Sequence, residues 1–386
     1  MLTDTCQNQP GLSHVVLADD GSYVLPDPSK PMIVFWWNGR PVAHRWLSVG
    51  APAPREGQID AQVLALIAAE EGRAGPAQLD ASVVICTRDR PEELQRCLAS
   101  LPQQTYQPRE VIVVDNASKD QRTKAVAMDA GVIYVRENRT GLDIARNTGA
   151  RLSTSQIVAY TDDDVVLHPR WLERLVAAFD DPLIGAVTGL VLPAELATEA
   201  QLHFETYWSF GQGYTRRDFE ADAFAAHKSD VFPAWKVGAG ASMAFRREMF
   251  DRIGYFDTRL DAGRAGCSGD SEFWYRLLAK GFSCRYEPSS VAFHFHRRTM
   301  KGLSSQIFQY MRGHAAALLV QYERTGIASN RIQAFFRMPR WYFQRILKGF
   351  RDGPSASDRF LKEEILGYLS GLIYYILNGT SSDEPR

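Results

Sequence analysis

Cysteine is sparse and unpaired: Cys6, Cys86, Cys97, Cys267 and Cys284 are scattered over 386 residues. An odd number without paired spacing excludes a disulfide framework and a four-thiolate zinc site, and predicts free thiols in a reducing compartment. Cys86 and Cys97 sit among apolar neighbours and read as core residues, not nucleophiles. An excess of basic charge is also missing. The 44 Lys and Arg against 45 Asp and Glu leave a net charge of -1, so nucleic acid is not expected as the main partner, because it needs a broad basic surface. Long hydrophobic runs are lacking as well. The longest uncharged apolar run, Ile365 to Leu377, is too short to read as a membrane span. The first residues, Met1 to Asn8, show no basic stretch followed by an apolar run, so no secretion signal is expected and the expected location is cytoplasmic.

What is present is an alternation. Residues 1–78 read as a small α+β unit. Within it, Met32–Trp37 and Arg40–Trp46 flank Asn38-Gly39, the signature of a hairpin with a type I′ turn. Ile59 to Glu70 has helical spacing, and residues 72–76 read as a linker. Trp36, Trp37 and Trp46 read as packing residues, with a docking surface as the alternative. From Leu79 the pattern changes. Short β-branched runs (Ser82–Thr87, Glu110–Asp115, Val132–Arg136, Gln156–Thr161) alternate with amphipathic helices. This predicts an α/β fold over residues 79–300, a mostly parallel sheet with helices on both faces. Further strands are expected at Ile184–Leu192 and Ser242–Phe245, with two short ones at Ser283–Tyr286 and Val291–His296. Residues 301–386 read as a helical extension.

In such sheets ligands bind beyond the carboxyl ends of the strands. Three strands end there in polar residues: Thr87-Arg88-Asp89, Asp115-Asn116 and Asp162-Asp163-Asp164. Consecutive carboxylates raise one another's pKa unless a cation neutralises them. Asp162 and Asp164, one residue apart, suit a divalent ion that prefers oxygen, Mn2+ or Mg2+. The competing reading is a solvated turn capping the helix that begins near Pro169.

This order of motifs closely resembles the family 2 glycosyltransferases, whose fold is called GT-A. Val83 to Pro91 resembles their first strand and nucleotide-contacting turn, which puts Thr87, Arg88 and Asp89 at the donor. Val113 to Ser118 resembles the second, where Asp115 would meet the base or ribose. Glu137 to Gly149, with Arg139 and Arg146, resembles the segment flanking the donor, and Asp162-Asp163-Asp164 matches the metal-binding DXD element, with Asp163 assigned to the nucleotide sugar. Gly269-Asp270-Ser271-Glu272-Phe273 is similar to the family's base motif, with Asp270 as general base. It departs from the pattern, because Gly269 replaces the usual first acid and Glu272 stands where Asp is common. The resemblance assigns Trp235, Gly240, Ser242 and Glu272 to the acceptor side, Ser242 standing where many relatives have Asn. It also brings a histidine to the metal; His294 aligns better than His296, and both face one way if Phe293-His294-Phe295-His296 is a strand.

The resemblance implies a metal-dependent, inverting transfer from a nucleotide-diphosphate sugar, expected to be UDP-linked, to a hydroxyl of a glycan or lipid-linked acceptor. Two other readings compete. A sugar nucleotidyltransferase is disfavoured, because no glycine-rich phosphate loop with a following base succeeds the first strand. A non-catalytic nucleotide-sugar-binding or scaffolding protein draws support only from Gly269. Finally, Arg331 to Arg351 interleaves Arg337, Arg340, Arg345 and Lys348 with aromatic residues and holds no acid. That pattern suits a peripheral contact with the inner face of a membrane, or a helix packed on the catalytic unit with its arginines wet.

Overall fold

The computed structural model describes residues 9–25, 30–47, 56–71, 79–227, 230–262 and 264–379; Cys6 and the expected linker at 72–76 lie outside them. At the N-terminus come β1 (Leu12–Val16), β2 (Ser22–Val24), β3 (Met32–Trp37), β4 (Arg40–Trp46), β5 (Glu56–Gln58) and α1 (Ala61–Glu71). The hairpin of β3 and β4 forms as expected, with Asn38 and Gly39 both at positive φ, +49° and +73°, the geometry a type I′ turn requires. β1 adds to β3 in parallel. This sheet is not detached: Leu12, Met32, Val34 and Trp36 share a core with Leu190, Leu192 and Phe293.

The central sheet takes β6 (Ala81–Thr87), β7 (Glu110–Asn116), β8 (Ile133–Glu137), β9 (Ile157–Asp162), β10 (Val165–Leu167), β11 (Ile184–Pro193), β12 (Arg217–Phe219), β13 (Ser242–Arg246) and β14 (Ser283–His294). Its order is β10-β14-β11-β13-β9-β6-β7-β8, with β12 also on β14. β6 pairs in parallel with β7 and β9, β7 with β8, and β11 with β14, while β10, β12 and β13 run against their neighbours. The mixed α/β architecture, mostly parallel at its centre, is the GT-A-like one expected. Where two short strands were expected near the end, β14 is continuous, and its pairing with β11 shifts register between Gly189 and Leu190.

The helices lie on both faces. On one are α2 (Pro91–Leu98), α3 (Arg122–Asp129) and α5 (Trp171–Ala177), through Leu94, Cys97, Ala127 and Trp171. On the other are α4 (Leu142–Leu152), α8 (Glu248–Ile253) and α9 (Gly269–Ala279), through Ala145, Met249 and Phe273. α6 (Glu199–Tyr207) and α7 (Ala221–Ala226) fall in the aromatic-rich insertion between β11 and β13. Trp171 and Phe273 are fully enclosed, and each buried side chain of this kind contributes roughly 1.5–3 kcal/mol.

After β14 the described chain is helical: α10 (Met300–Thr325), α11 (Ser329–Ile332), α12 (Met338–Asp352) and α13 (Leu361–Asn378). The expected helical stripe through Leu361, Ile365 and Leu372 packs on α10 through Met311, Ala315 and Leu318. Among the described residues no helix is long and apolar enough to cross a membrane.

Candidate active site

β9 ends at Asp162, and the chain turns through Asp163 and Asp164 into β10. Because β10 pairs antiparallel with β14, setting Val165 opposite His294, an imidazole from the far end of the sheet arrives beside the acidic turn. One ligand atom from each of Asp162, Asp164 and His294 lies within 4.8 Å of the others. His294 Nε2 is 3.3 Å from Asp164 Oδ1. Burial opposes the charge on both groups, yet each favours the other's charged form: Asp164 falls well below the usual carboxylate range and His294 rises above its ordinary value. Two carboxylates and one imidazole converging on one point are a donor set that could hold a divalent ion.

A second row of residues fixes the imidazole. His294 Nδ1 is 3.0 Å from His296 Nδ1, and His296 Nε2 is 3.0 Å from Glu205 Oε2 on α6. An ionised carboxylate only accepts. His296 therefore donates from Nε2, accepts at Nδ1 from His294, and leaves His294 Nε2 as the atom facing Asp164. Burial lowers the pKa of His296, consistent with its neutral form. Of the two histidines, His294 is the one at the cluster, as expected.

Asp163 points elsewhere. Its carboxylate accepts from Thr87 Oγ1 at 2.7 Å and from Arg90 Nη1 at 3.0 Å, and Arg90 also donates to Asp164 Oδ2 at 3.1 Å. Burial, then repulsion from Asp164, pushes Asp163 up to about 7. Thr87 and Asp163 thus bond each other, with Arg90 on the second Asp163 oxygen, and their assignment to the donor stays a proposal. Asp115 is likewise engaged by the protein's own groups. It is fully enclosed and accepts from Ser118 N at 2.9 Å, Tyr134 Oη at 2.7 Å and Arg136 Nη1 at 3.2 Å, so it organises the turn after β7 and offers no oxygen to the cleft. Asp89 staples this turn to the first: its N–H donates to Ser118 Oγ and its Oδ1 accepts from Lys119 N. The Arg88 side chain is about half exposed at the same edge, 4.0 Å from Asp89. Arg139 lies against Glu137 at 2.9 Å, and that contact first among others pulls Glu137 down to about 2.

Arg146 sits where these ends meet. Its Nη1 donates to Asp143 at 3.0 Å and its Nη2 stands 4.0 Å from Asp162 Oδ1. Burial works against its charge, but Asp143, Asp162 and Asp270 hold it ionised. Asp270 occupies the first turn of α9, where a helix N-terminus favours negative charge. Its Oδ1 accepts from Ser271 N at 2.7 Å. A Cβ added at Gly240 would meet Arg146 Nη2 at 2.7 Å and Asp270 Oδ2 at 2.8 Å. The glycine loop before β13 therefore has no side chain where arginine and carboxylate approach each other. A cavity of about 780 Å3 opens here, lined by Asp143, Arg146, Asp162, Trp235, Gly240 and Asp270 among others.

Two residues expected on the acceptor side lie inside the protein. Ser242 is fully enclosed, and its Oγ accepts from Trp171 Nε1 at 2.9 Å. Glu272 is also enclosed and clasps Arg276 at 3.0 and 2.9 Å, facing the protein interior behind α9. Three residues that shape the site escaped the sequence reading, Arg90, Asp143 and Glu205, while His296 enters it only as an alternative metal ligand. Arg90 stood inside the first motif, and only its neighbouring carboxylates could have flagged it. Glu205 has no local signal, because α6 meets β14 only in the folded chain. A larger groove of about 1030 Å3, lined by Leu98, Leu101, Pro102 and Val132, lies at the amino ends of β7 and β8, away from the acidic cluster.

Residues 82–254 match the family model described as glycosyl transferase family 2. The chain is similar to the glucosyl-dolichyl phosphate glucuronosyltransferase of Haloferax volcanii, 29% identical over 193 residues, which is 48% of this chain and 58% of that protein. It is similar to the pre-mycofactocin glycosyltransferase of Mycobacterium tuberculosis, 26% identical over 253 residues, 64% of this chain and 49% of that protein. The chain thus spans about half the length of these curated relatives. Among solved structures, a mannosyltransferase from Pyrobaculum calidifontis in complex with GDP-Man and Mn2+ has 18% identity and a TM-score of 0.49, over 83% of this chain and 98% of that one.

Proposed function

From the premise that this chain belongs to glycosyl transferase family 2 through residues 82–254, we propose that it transfers a sugar with inversion from a nucleotide-diphosphate donor to an acceptor hydroxyl. Residues 79–300 are the catalytic unit in this reading, with 1–78 and 301–386 as additions. One observation carries it: Asp162, which converges with Asp164 and His294, lines the same cavity as Asp270 and Arg146, and Arg146 stands 4.0 Å from Asp162. Asp162, Asp164 and His294 would hold Mn2+ or Mg2+, and the nitrogen donor favours Mn2+. An ion held there would supply Lewis-acid neutralisation of the charge on the leaving diphosphate. Arg146 adds a fixed positive charge beside the same oxygens. Asp270 takes the proton from the acceptor hydroxyl. The acceptor oxygen bonds to the anomeric carbon as the carbon–phosphate oxygen bond breaks on the opposite face, and the electron pair leaves on the diphosphate.

A glycan or a lipid-linked sugar supplies the hydroxyl, and a relative named for a dolichyl phosphate-linked acceptor supports the second. Free thiols at Cys86, Cys97, Cys267 and Cys284 support a cytoplasmic site of action. The test is a thermal-shift screen of nucleotide sugars with and without Mn2+, UDP-sugars first. A donor that binds only the folded state raises the melting temperature by mass action, and it should do so only when metal is present. No shift with any nucleotide sugar would remove the reading.

A further inference from the structure

The cavity beside Asp270 continues away from the acidic cluster. Its wall runs through Trp208, Tyr310 and Met311 to Met338 and Trp341 on α12. The other side of α12 faces outward. Phe343, Leu347 and Phe350 are 60%, 51% and 85% exposed, and their spacing of four and then three residues puts them on one stripe. Phe336, 71% exposed, extends the stripe into the preceding turn. Arg340 and Lys348 are exposed on the same helix, whose single acid, Asp352, pairs with Arg351. Arg337 and Arg345, expected among the surface bases, instead pair with Asp230 and with Asp358 and Glu364. Leu369, Ile373 and Ile376 are exposed on α13, which packs beside α12.

A contiguous exposed apolar stripe marks an interaction site. Aromatics interleaved with bases fit the boundary of an anionic bilayer, where rings enter the headgroup region and bases meet lipid phosphates. A second copy fits less well, because a two-fold contact would set Arg340 and Lys348 against the same bases. We propose that α12 docks on an anionic membrane surface, and that the cavity admits the apolar tail of a lipid-phosphate-linked acceptor from that surface to Asp270. The reacting end rests on the transfer reading above; the docking face does not.

The experiment uses the full chain with vesicles of phosphatidylcholine alone or mixed with phosphatidylglycerol, read by flotation. UDP binding in the presence of Mn2+ is measured on the same preparations. The chain should float with the anionic vesicles and not with the neutral ones. Phe343→Ser with Phe350→Ser should lose vesicle affinity roughly tenfold or more, and Arg340→Gln with Lys348→Gln should lose at least about tenfold. Both variants should keep UDP affinity. Farnesyl phosphate, a soluble probe of the cavity, should bind the wild type and bind Met338→Glu about tenfold more weakly. The proposal is overturned if the wild type does not float, if both variants float as it does, or if farnesyl phosphate ignores Met338→Glu. A concentration-dependent dimer abolished by the phenylalanine changes overturns it in favour of a second copy. Failure of these chains to bind UDP or any other nucleoside diphosphate with Mn2+ removes the transfer reading and leaves the flotation result standing.

Discussion

The carboxylate of Asp143 occupies the space that any side chain on residue 269 would need. A Cβ built on Gly269 would stand 2.0 Å from Asp143 Oδ2. The resemblance leads one to expect an acid at residue 269, immediately before the base. Here α4 supplies an acid to that place from across the site and ties it to Arg146. Gly269 is thus no sign of a lost catalytic motif, and the reading as a non-catalytic protein loses the one feature that favoured it.

Gly269→Ala should therefore destabilise the chain, although alanine in a helix ordinarily gains up to about 1 kcal/mol over glycine. Overpacking against a buried, paired carboxylate costs about 1–3 kcal/mol. Urea unfolding of Gly269→Ala, and of Asp143→Gly combined with Gly269→Asp, checks this. The double variant should recover stability relative to Gly269→Asp alone. Equal stability of Gly269→Ala and the wild type would show that the space is not limiting.

The two outer aspartates should separate from the middle one. Asp162→Ala and Asp164→Ala should each abolish metal-dependent UDP binding, measured by calorimetry, and leave a folded protein. Asp163→Asn should keep metal binding but lose on the order of 1–3 kcal/mol of stability, since it breaks buried bonds to Thr87 and Arg90.

Glu205→Gln should weaken Mn2+ binding roughly 10- to 100-fold, the usual effect of disturbing a partner behind a metal ligand. The amide can donate as well as accept, so it no longer enforces the ring orientation of His296 and His294. A metal titration in which Glu205→Gln matches the wild type would disconnect this row from the metal.

Acid should unfold the chain earlier than its carboxylates demand. Burial, helped by Lys30, lowers His14 to about 4, and burial lowers His168 and His314 to about 4. His14 Nδ1 accepts from Trp36 Nε1 at 2.9 Å, and His168 stacks on the same indole. With folded pKa values below the ordinary 6.5, the unfolded chain binds more protons in this window. The stability these groups contribute is complete above pH about 6.5 and is lost as pH falls toward 4, up to roughly 3 kcal/mol for each. Urea midpoints at about pH 7 and about pH 5 should differ accordingly, and His168→Gln should shrink the difference.

Much of this architecture was legible in the sequence because it repeats local signals. β-branched runs located β6, β7, β9 and β11 to within a residue or so, and Asn38-Gly39 set the hairpin. The three aspartates at the end of β9 located the cluster that could hold a metal. What escaped is what only tertiary contact creates. Asp115, Ser242 and Glu272 sit in motif positions, but the fold closes over them, so residue type and order could not tell lining from support. β10 and β12 are three residues each, too short for any periodicity, and their pairing with β14 comes from the far end of the sheet.

The central claim is that Asp270 is the base. Asp270→Asn keeps shape and hydrogen bonding yet cannot take the acceptor proton, and a positioned base contributes on the order of 10²–10⁴-fold. Glu272→Gln is the control, because the structure predicts lost stability there through Arg276, not slowed chemistry. The measurement is sugar transfer from the best donor of the nucleotide-sugar screen, with donor affinity taken on the same preparation. The account predicts a folded Asp270→Asn protein that binds metal and donor as the wild type does and transfers at least about a hundredfold more slowly; normal transfer by that variant contradicts it.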